Sequence, residues 1–278
     1  MKIKSDTITS RSNPIVKQIA SLAEKKWRDR IGLFIAEGEK LTYEALKKGL
    51  PVVQIVISES KWSISDDVLE CAKYNDIYEK CELIKVSDSV FEKISTEKAP
   101  QGVISVIKHL DFFRKMDIIY KEEFFLKPEE RALSLCSVRD PGNLGAIIRS
   151  AAAFGVEHIV MSDDCADIYN PKTIRSAMGS LFAIRVTKVS KMDTFVKSTI
   201  ENGRRVFAAE LRDGAVSVSD VDVKKSDIFM IGNEGHGIPE ELSKLTTGSV
   251  YIPISAITES LNASVAAAVF MWEQNKSI

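Results

Sequence analysis

The chain has 278 residues, of which 45% are hydrophobic and 28% are charged. This composition is ordinary for a globular protein, and the length suits two domains better than one. No apolar run approaches the roughly 20 residues that a transmembrane helix requires, and the polar start lacks a signal-peptide core. We therefore expect a cytoplasmic protein with no membrane partner.

The charges are unevenly distributed along the chain. The net charge of −1 gives no general sign of a nucleic-acid-binding protein. Residues 1–48, however, contain eleven Lys and Arg against six Asp and Glu. Binding to phosphates depends on the local potential, so this excess could contact a nucleic acid. A solvated, lysine-rich helix face explains the same charges equally well.

The four cysteines are scattered and include no C-x-x-C pair. Free, buried thiols in a reducing compartment are the expected state, rather than a disulfide or a metal site. We therefore predict that the protein binds no metal. These residues are Cys71, Cys81, Cys136 and Cys165.

The first part of the chain alternates between helix and strand patterns. Residues 12–30 predict a single helix, with Ser12 or Asn13 as its cap and Pro14 in its first turn. Strands are predicted over 33–36, 52–57, 83–86 and 102–107, and helices over 40–48 and 88–94. This alternation indicates a small α/β domain over residues 1–108.

The alternating pattern of helices and strands stops at residues 109–130. Four phenylalanines stand among charged residues there without a strict period. We interpret this stretch as a linker, helical in part, whose aromatic side chains pack against a domain. The phenylalanines are Phe112, Phe113, Phe124 and Phe125.

A second α/β domain is predicted over residues 131–278. Near-continuous apolar strands are separated by amphipathic helices, which indicates a mostly parallel sheet covered on both faces. The strands are predicted over 132–136, 157–161, 184–189, 206–211, 228–232 and 250–254. The helices are predicted over 144–154, 171–178, 192–201, 239–245 and 260–275.

A turn and a helix start lie together in residues 140–149. Pro141 and Gly142 predict a turn directly after a strand, and Asn143 stands where a helix cap is expected. Such a turn presents backbone N–H groups at the carboxyl end of a sheet, where open α/β folds bind ligands. Arg149 follows among apolar neighbours, so we expect its guanidinium to have a specific partner. A plain helix cap followed by a surface arginine explains the segment about as well.

Three glycines lie within residues 232–237, directly after an apolar strand. Glycine at this density lets a ligand approach the main chain closely. The spacing is not that of a dinucleotide-binding turn, and no Lys-Ser or Lys-Thr follows to make a phosphate-binding loop. Glu234 is either a solvated turn residue or a positioned carboxylate. His236 is more simply an incidental turn residue than a catalytic base.

The last predicted helix begins with small residues. Ser260 and Asn262 occupy its first turn, where helix capping is the simplest explanation. Two polar groups facing the glycine turn would equally suit the edge of a ligand pocket. The small side chains permit close approach of the helix to the sheet or to a second subunit.

These segments, in this order, resemble the motifs of the SpoU (TrmH-type) RNA ribose 2′-O-methyltransferases of the SPOUT superfamily. The likeness covers most of residues 132–275, and residues 170–175 resemble a further segment of the family. Residues 9–14 and 34–38 are similar to the family's substrate-binding domain. The matching motif residues are Asn143 and Arg149, then Gly232, Asn233, Glu234 and Gly235, then Ser260, Leu261 and Asn262.

The resemblance implies an α/β fold in which a SPOUT-type parallel sheet carries a deep trefoil knot, with a smaller N-terminal α/β domain that binds the substrate. Knots are otherwise almost absent from proteins. It also implies S-adenosylmethionine as the cofactor, a homodimer and an RNA substrate. Ile254 and Ala263 replace the family's common Met and Val without removing a polar group. The implied cofactor contacts are Gly232, Asn233, Gly235, Ile252, Leu261, Ala208 and Ile254.

By the same resemblance, Arg149 lies nearest the reacting hydroxyl, in an active site that two subunits complete. It either accepts the proton or, as we favour, binds the adjacent phosphate, because a guanidinium pKa above about 12 makes it a poor base. Asn143 and Glu234 would position it, and Ser260 and Asn262 would form the pocket wall.

Rival interpretations differ in the activity or in the substrate. A non-catalytic RNA-binding module with this fold would not need the intact polar motif residues. A dehydrogenase-type enzyme would need a G-x-G-x-x-G turn that neither domain has. The same methylation on tRNA is an alternative, although the N-terminal domain resembles that of members directed to ribosomal RNA.

Overall fold

The computed structural model describes residues 1–4, 6–73, 76–110, 118–121 and 126–276. The chain divides into two compact units. The first consists of Met1–Arg114 together with Tyr169–Phe182, and the second of Lys115–Ile168 together with Ala183–Ile278. The segment Tyr169–Phe182, which the sequence predicts within the second domain, thus groups with the first unit. Among the described residues, no helix is long and apolar enough to cross a membrane.

A mixed sheet forms the centre of the first unit, in the strand order β1-β4-β3-β5-β2. β1, β4 and β3 are parallel, whereas β5 runs antiparallel to both β3 and β2. The four predicted strands are confirmed, and β1 is an addition at the edge. The strands are β1 (Lys2–Ile3), β2 (Leu33–Glu37), β3 (Val52–Ser58), β4 (Glu82–Val86) and β5 (Val103–Lys108).

The prediction of one helix over residues 12–30 is wrong, because the chain forms two helices there. Asn13 does cap the first of them, since its side chain accepts a hydrogen bond from the backbone of Ile15 at 2.9 Å. The buried guanidinium of Arg28 donates to the carbonyls of Leu22 and Ala23, at 2.7 and 2.8 Å. These bonds replace those of a continuous helix. The helices of this part are α1 (Pro14–Ser21), α2 (Lys25–Ile31), α3 (Glu39–Lys47), α4 (Ile64–Ala72) and α5 (Asp88–Ile94).

Eight parallel strands form the sheet of the second unit, in the order β11-β13-β10-β12-β7-β8-β9-β6. β6 lies inside the predicted linker and pairs with β9, so the linker contributes a strand. Its four phenylalanines lie outside the described residues. The strands are β6 (Ile118–Lys121), β7 (Ala132–Leu135), β8 (His158–Ser162), β9 (Arg185–Val189), β10 (Val206–Ala209), β11 (Val216–Ser217), β12 (Ile228–Ile231) and β13 (Gly248–Tyr251).

Helices alternate with these strands, as predicted. Phe154, at the end of α6, and Trp272, on α10, place their rings edge to face, with centroids 6.0 Å apart. Fully buried β-strand residues such as Val160, Val206 and Met230 form the core of this unit. The helices are α6 (Pro141–Ala153), α7 (Pro171–Ala177), α8 (Met192–Glu201), α9 (Glu240–Ser243) and α10 (Ala263–Asn275), of which α7 belongs to the first unit.

All four cysteines are free thiols, and three of them are buried. Burial raises the pKa of Cys81 to about 12 and also raises the pKa of Cys136 and of Cys165. These thiols are therefore protonated and chemically inert at neutral pH.

Candidate functional site

One edge of the eight-stranded sheet carries a cleft of about 350 Å³. β10, β12 and β13 are parallel neighbours, so their carboxyl ends, at Ala209, Ile231 and Tyr251, lie at this edge. The residues that follow each strand form the cleft, together with residues 259–261 and one face of α10. The volume is in the range of small-molecule sites, which are commonly about 300–1,000 Å³.

Close packing within the turn after β12 explains its glycines. A Cβ atom on Gly232 would lie 2.5 Å from the backbone carbon of Gly237 and 2.7 Å from its oxygen, so no side chain fits there. Gly237 itself has φ of +67°, a left-handed conformation that favours glycine. The glycines are thus required by packing and conformation within the turn, and Gly232, Gly235 and Gly237 also line the cleft.

Asn233 holds this turn in shape. Its Oδ1 accepts hydrogen bonds from the backbone N–H groups of Gly235 at 2.9 Å and of His236 at 3.1 Å. Its Nδ2 donates to the carbonyl oxygen of Ser137, 2.9 Å away. The exposed His236 ring also lies near Asn233 Oδ1, at 3.3 Å, which is consistent with a turn residue. The side chain of Asn233 therefore shapes the cleft wall through internal bonds.

A chain of hydrogen bonds joins the three sequence motifs. Asn143 Nδ2 donates to Glu234 Oε1 at 2.7 Å, and Asn262 Nδ2 donates to Asn143 Oδ1 at 3.0 Å. Asn262 also caps α10, because its Oδ1 accepts from the backbone of Ser264 at 2.9 Å. Asn143 thus links the segments that contain Glu234 and Asn262, both of which are far from it in the sequence.

The predicted helix cap at Asn143 is wrong. Asp140 is the N-cap of α6, and its Oδ1 accepts from the backbone N–H of Asn143 at 2.9 Å. Pro141 occupies the first helical position, which begins the helix three residues earlier than predicted. This shift releases the side chain of Asn143 from capping and allows it to bond to Glu234.

Arg149 lies on α6, exposed to solvent. Six residues of helix separate it from Asn143, which corresponds to about 9 Å along the axis and about 120° around it. No hydrogen bond or ion pair of its guanidinium occurs within the described ranges, and it does not line the cleft. The specific partner that the sequence predicts for Arg149 is therefore absent from the described part of this chain.

Most of the other predicted residues line the cleft. Ile254 adds an apolar surface that is 39% exposed. Ala208 is an exception, because it is fully buried in the core and the next residue, Ala209, reaches the cleft instead. Asn262, predicted in the pocket wall, is a second exception, because its side chain caps α10 rather than lining the cleft. The predicted residues in the lining are Gly232, Asn233, Glu234, Gly235, Ile252, Ile254, Ser260 and Leu261.

Two further carboxylates in the cleft wall, Glu210 and Glu259, were not predicted. Glu210 directly follows the apolar strand β10. Its position as an acidic residue directly after a buried strand is the sequence signal that could have identified it. No cluster of three or more metal-ligating side chains occurs in the regions that the structure describes.

Comparisons with known proteins cover nearly the whole chain. The sequence model of the SpoU rRNA Methylase family matches residues 130–272, and that of the MRM3-like substrate binding domain matches residues 13–105. The chain is 31% identical over 265 residues to the Bacillus subtilis protein named 23S rRNA (guanosine(2553)-2′-O)-methyltransferase RlmP, covering 95% of this chain and 97% of that protein.

Two further likenesses agree with these matches. The chain is 28% identical to a Streptomyces viridochromogenes protein named 23S rRNA (uridine(2479)-2′-O)-methyltransferase, covering 96% of this chain and 90% of that one. It also resembles the crystal structure of an AdoMet-bound rRNA methyltransferase from Sinorhizobium meliloti. That likeness has a TM-score of 0.82 and 30% identity, and covers 99% of this chain and 98% of the other.

Proposed function

The chain belongs to the SpoU rRNA Methylase family, and on that premise we propose that it methylates a ribose 2′-hydroxyl of ribosomal RNA, using S-adenosylmethionine. The observation that carries the proposal is the hydrogen-bonded chain Glu234–Asn143–Asn262 beside the glycine-lined cleft. Relatives similar over nearly their full length are named as 23S rRNA 2′-O-methyltransferases. Ribosomal RNA is thus favoured over tRNA, and the cytoplasm is the expected compartment.

The cleft fits the proposed cofactor in both size and surface. Gly232 and Gly235 line the cleft without a side chain, and Ile252, Ile254 and Leu261 supply apolar surface for a flat base. The main chain of these residues would hold the adenosyl group. When bound, S-adenosylmethionine supplies an activated methyl group, so the protein needs only to align the hydroxyl and remove one proton.

Arg149 would orient the RNA rather than bind the cofactor. Its exposed guanidinium matches the geometry of a phosphate and is a poor proton acceptor. Glu234, held by Asn143 at the cleft rim, carries a carboxylate that could accept the proton of the hydroxyl. Asn143 and Asn262 keep this carboxylate in place.

A homodimer accounts for the exposed position of Arg149. Since this side chain does not line the cleft of its own chain, it would serve the cleft of a second copy. The deep trefoil knot is likewise part of the proposal, and it rests on membership of the family. The knot would bring the glycine turn and residues 252–261 together around the cofactor.

The N-terminal domain would bind the RNA, and α2 offers a suitable surface. The ammonium of Lys26 and the guanidinium of Arg30 lie over the indole of Trp27, 5.8 and 5.2 Å from the ring centroid. Positive charges beside an aromatic ring match the phosphates and bases of RNA. The match of residues 13–105 to a substrate binding domain agrees with this assignment.

Methyl-transfer and mapping experiments test the proposal. The purified protein should bind S-adenosylmethionine in a calorimetric titration and should label ribosomal RNA from cells that lack its gene. Mapping of 2′-O-methyl positions in cells with and without the gene should show one lost position in ribosomal RNA. A lost position in tRNA would overturn the assignment of ribosomal RNA as the substrate. Binding of S-adenosylmethionine without methyl transfer would favour a non-catalytic module.

A further inference from the structure

Glu210 is a cleft residue that belongs to none of the sequence motifs. It follows the end of β10 and lines the cleft beside Ala209 and Leu211. Its side chain is only 18% exposed, which is unusual for a carboxylate unless specific partners hold it.

The partners of Glu210 all bind the same carboxylate oxygen. Oε1 accepts hydrogen bonds from Ser249 Oγ at 2.8 Å, from Arg212 Nη1 at 3.2 Å and from Ser243 Oγ. Oε2 has no hydrogen bond within the parts of the chain that the structure describes. An ionised carboxylate has about four acceptor positions, so this group is fixed through one oxygen and has the other available for an external donor.

The chemistry of the cleft limits which ligand group donates a hydrogen bond to Oε2. An RNA phosphate is excluded, because like charges repel and a phosphate offers no proton to a carboxylate. A ribose offers two neighbouring hydroxyl donors, and an acidic residue near a strand's carboxyl end binds them in other parallel α/β folds. We infer that Glu210 binds the ribose hydroxyls of S-adenosylmethionine through Oε2. This inference rests on the proposed function.

The assignment gives Glu210 a role in selecting the methyl donor. A partly buried carboxylate whose hydroxyl partner is missing loses a charge-assisted hydrogen bond and remains partly desolvated. The cleft should therefore discriminate between ribonucleosides and their deoxy analogues. Glu210 would act on affinity for the donor, whereas Arg149 would act on transfer to RNA.

Calorimetric titrations of the protein with three ligands, carried out at neutral pH, test the inference. S-adenosylhomocysteine has the complete nucleoside and the amino acid, methylthioadenosine lacks the amino acid, and 2′,3′-dideoxy-methylthioadenosine also lacks both ribose hydroxyls. Glu210→Gln should weaken binding of the first two by about 10- to 100-fold. It should change the affinity for the dideoxy compound by less than about 3-fold, because the hydroxyls are already absent.

Glu241→Gln is the matched control, since it removes an exposed carboxylate from α9 near Ser243 and should change none of the three affinities. If Glu210→Gln weakens the binding of S-adenosylhomocysteine alone, Glu210 contacts the amino-acid part of the ligand, and the inference is overturned. An equal loss with all three ligands would reduce Glu210 to a brace of the cleft, which also overturns it. Unchanged affinities would do the same.

Two further measurements separate the possible failures. If Glu210→Gln does not fold, Glu210→Asp keeps the charge but withdraws the carboxylate by one methylene, and the same pattern across the ligands is expected. If the unaltered protein binds no nucleoside at all, the proposed function fails together with this inference. If it binds all three ligands and Glu210→Gln binds them equally well, only the inference fails.

Discussion

The two edges of the eight-stranded sheet carry polar side chains of different kinds. The amino edge, where the strands begin, contains buried polar side chains such as Glu130 and His158, which are 5% and 3% exposed. The carboxyl edge contains the cleft and the chain Glu234–Asn143–Asn262, which is open to solvent. One sheet thus separates polar groups that stabilise the fold from polar groups that are available to a ligand.

At the amino edge, the buried groups satisfy one another. The ring nitrogens of His158 lie 2.7 Å from Glu130 Oε1 and 2.7 Å from Thr187 Oγ1. Glu130 also forms an ion pair with Arg185 at 2.5 Å. The guanidinium of Arg204 donates to the carbonyls of Lys127 and Glu130, at 2.9 and 2.7 Å. Removal of Glu130 takes a buried acceptor from both His158 and Arg185, which is costly.

At the carboxyl edge, polar side chains have hydrogen-bonding capacity that the protein does not use. Glu234 uses one carboxylate oxygen toward Asn143 and is exposed. Arg149, about 9 Å further along α6, has no partner in the described regions. Exposed groups with unused hydrogen-bonding capacity contribute little to stability. They are, however, able to form hydrogen bonds with a ligand or an RNA. A substitution among the buried groups of the amino edge should therefore act on folding, and one at the cleft or at Arg149 chiefly on binding or transfer.

Glu130→Ala should have the largest effect and should act on stability alone. We expect a loss of about 3–5 kcal/mol in the free energy of unfolding, because His158 and Arg185 lose their buried partner. Urea denaturation measures this loss. Glu129→Ala, at an exposed neighbouring position, should cost less than about 0.5 kcal/mol. A loss below about 1 kcal/mol for Glu130→Ala would mean that the amino edge does not stabilise the sheet.

Arg149→Ala should act on transfer alone. We expect methyl transfer to fall by about 100-fold or more, since the RNA loses its positioning contact, while affinity for S-adenosylmethionine stays unchanged. Single-turnover assays and calorimetry measure the two quantities. Lys197→Ala removes an exposed charge from α8 and should change neither. Retained turnover in Arg149→Ala would remove this residue from the mechanism.

A mixing experiment sharpens the role of Arg149. Gly232→Val should abolish cofactor binding, because a side chain at Gly232 would collide with Gly237. If each Arg149 serves the cleft of a partner subunit, mixed dimers of the two inactive variants contain one complete site. Recovery of part of the activity on mixing supports the dimeric site, and no recovery from demonstrated mixed dimers contradicts it.

Asn262→Ala should affect both stability and transfer, more weakly. Loss of the α10 cap should cost about 1 kcal/mol, and loss of the bond to Asn143 should slow methyl transfer by about 10-fold. Asn13→Ala is matched to it, because Asn13 caps α1 in the same way. That control should lose similar stability and keep its affinity for S-adenosylmethionine. Equal transfer rates in wild type and Asn262→Ala would separate Asn262 from the site.

The smallest effect concerns acid stability at the carboxyl edge. Burial raises the pKa of Asp164, but hydrogen bonds from Ser162 and Arg139 outweigh it and lower the pKa to about 2. The ionised carboxylate therefore stabilises the fold fully above its unfolded pKa of about 4, and this contribution is lost as the pH falls toward 2. Asp164→Asn should flatten the dependence of unfolding free energy on pH between 4 and 2. Parallel curves for the two proteins would contradict this assignment.

Much of the fold could be predicted from local patterns. The predicted bounds of α5 and α8 are confirmed, since both helices have clear apolar periodicity and defined ends. The edge strands β1 and β11 have two residues each, too short for a pattern to show. The helix break near Leu22 also escaped prediction, because it depends on the buried side chain of Arg28.

The candidate site was predicted unevenly for a similar reason. The glycine turn could be recognised because its close packing is local, within six residues. The partners of Asn143 lie 91 and 119 residues away, so spacing could suggest a cap but could not reveal these bonds. Glu210 was missed because its setting depends on Ser243 and Ser249, which follow much later in the chain.

The sequence by itself determined the alternation of strands and helices and the glycine-lined turn, because these follow from interactions between residues close in the chain. The apolar strands between amphipathic helices also indicated a parallel sheet. Only the tertiary structure decided which polar groups meet at each edge of that sheet. Hydrogen bonds between side chains require atoms within about 3 Å, and the parallel arrangement of strands distant in sequence is what brings such atoms together.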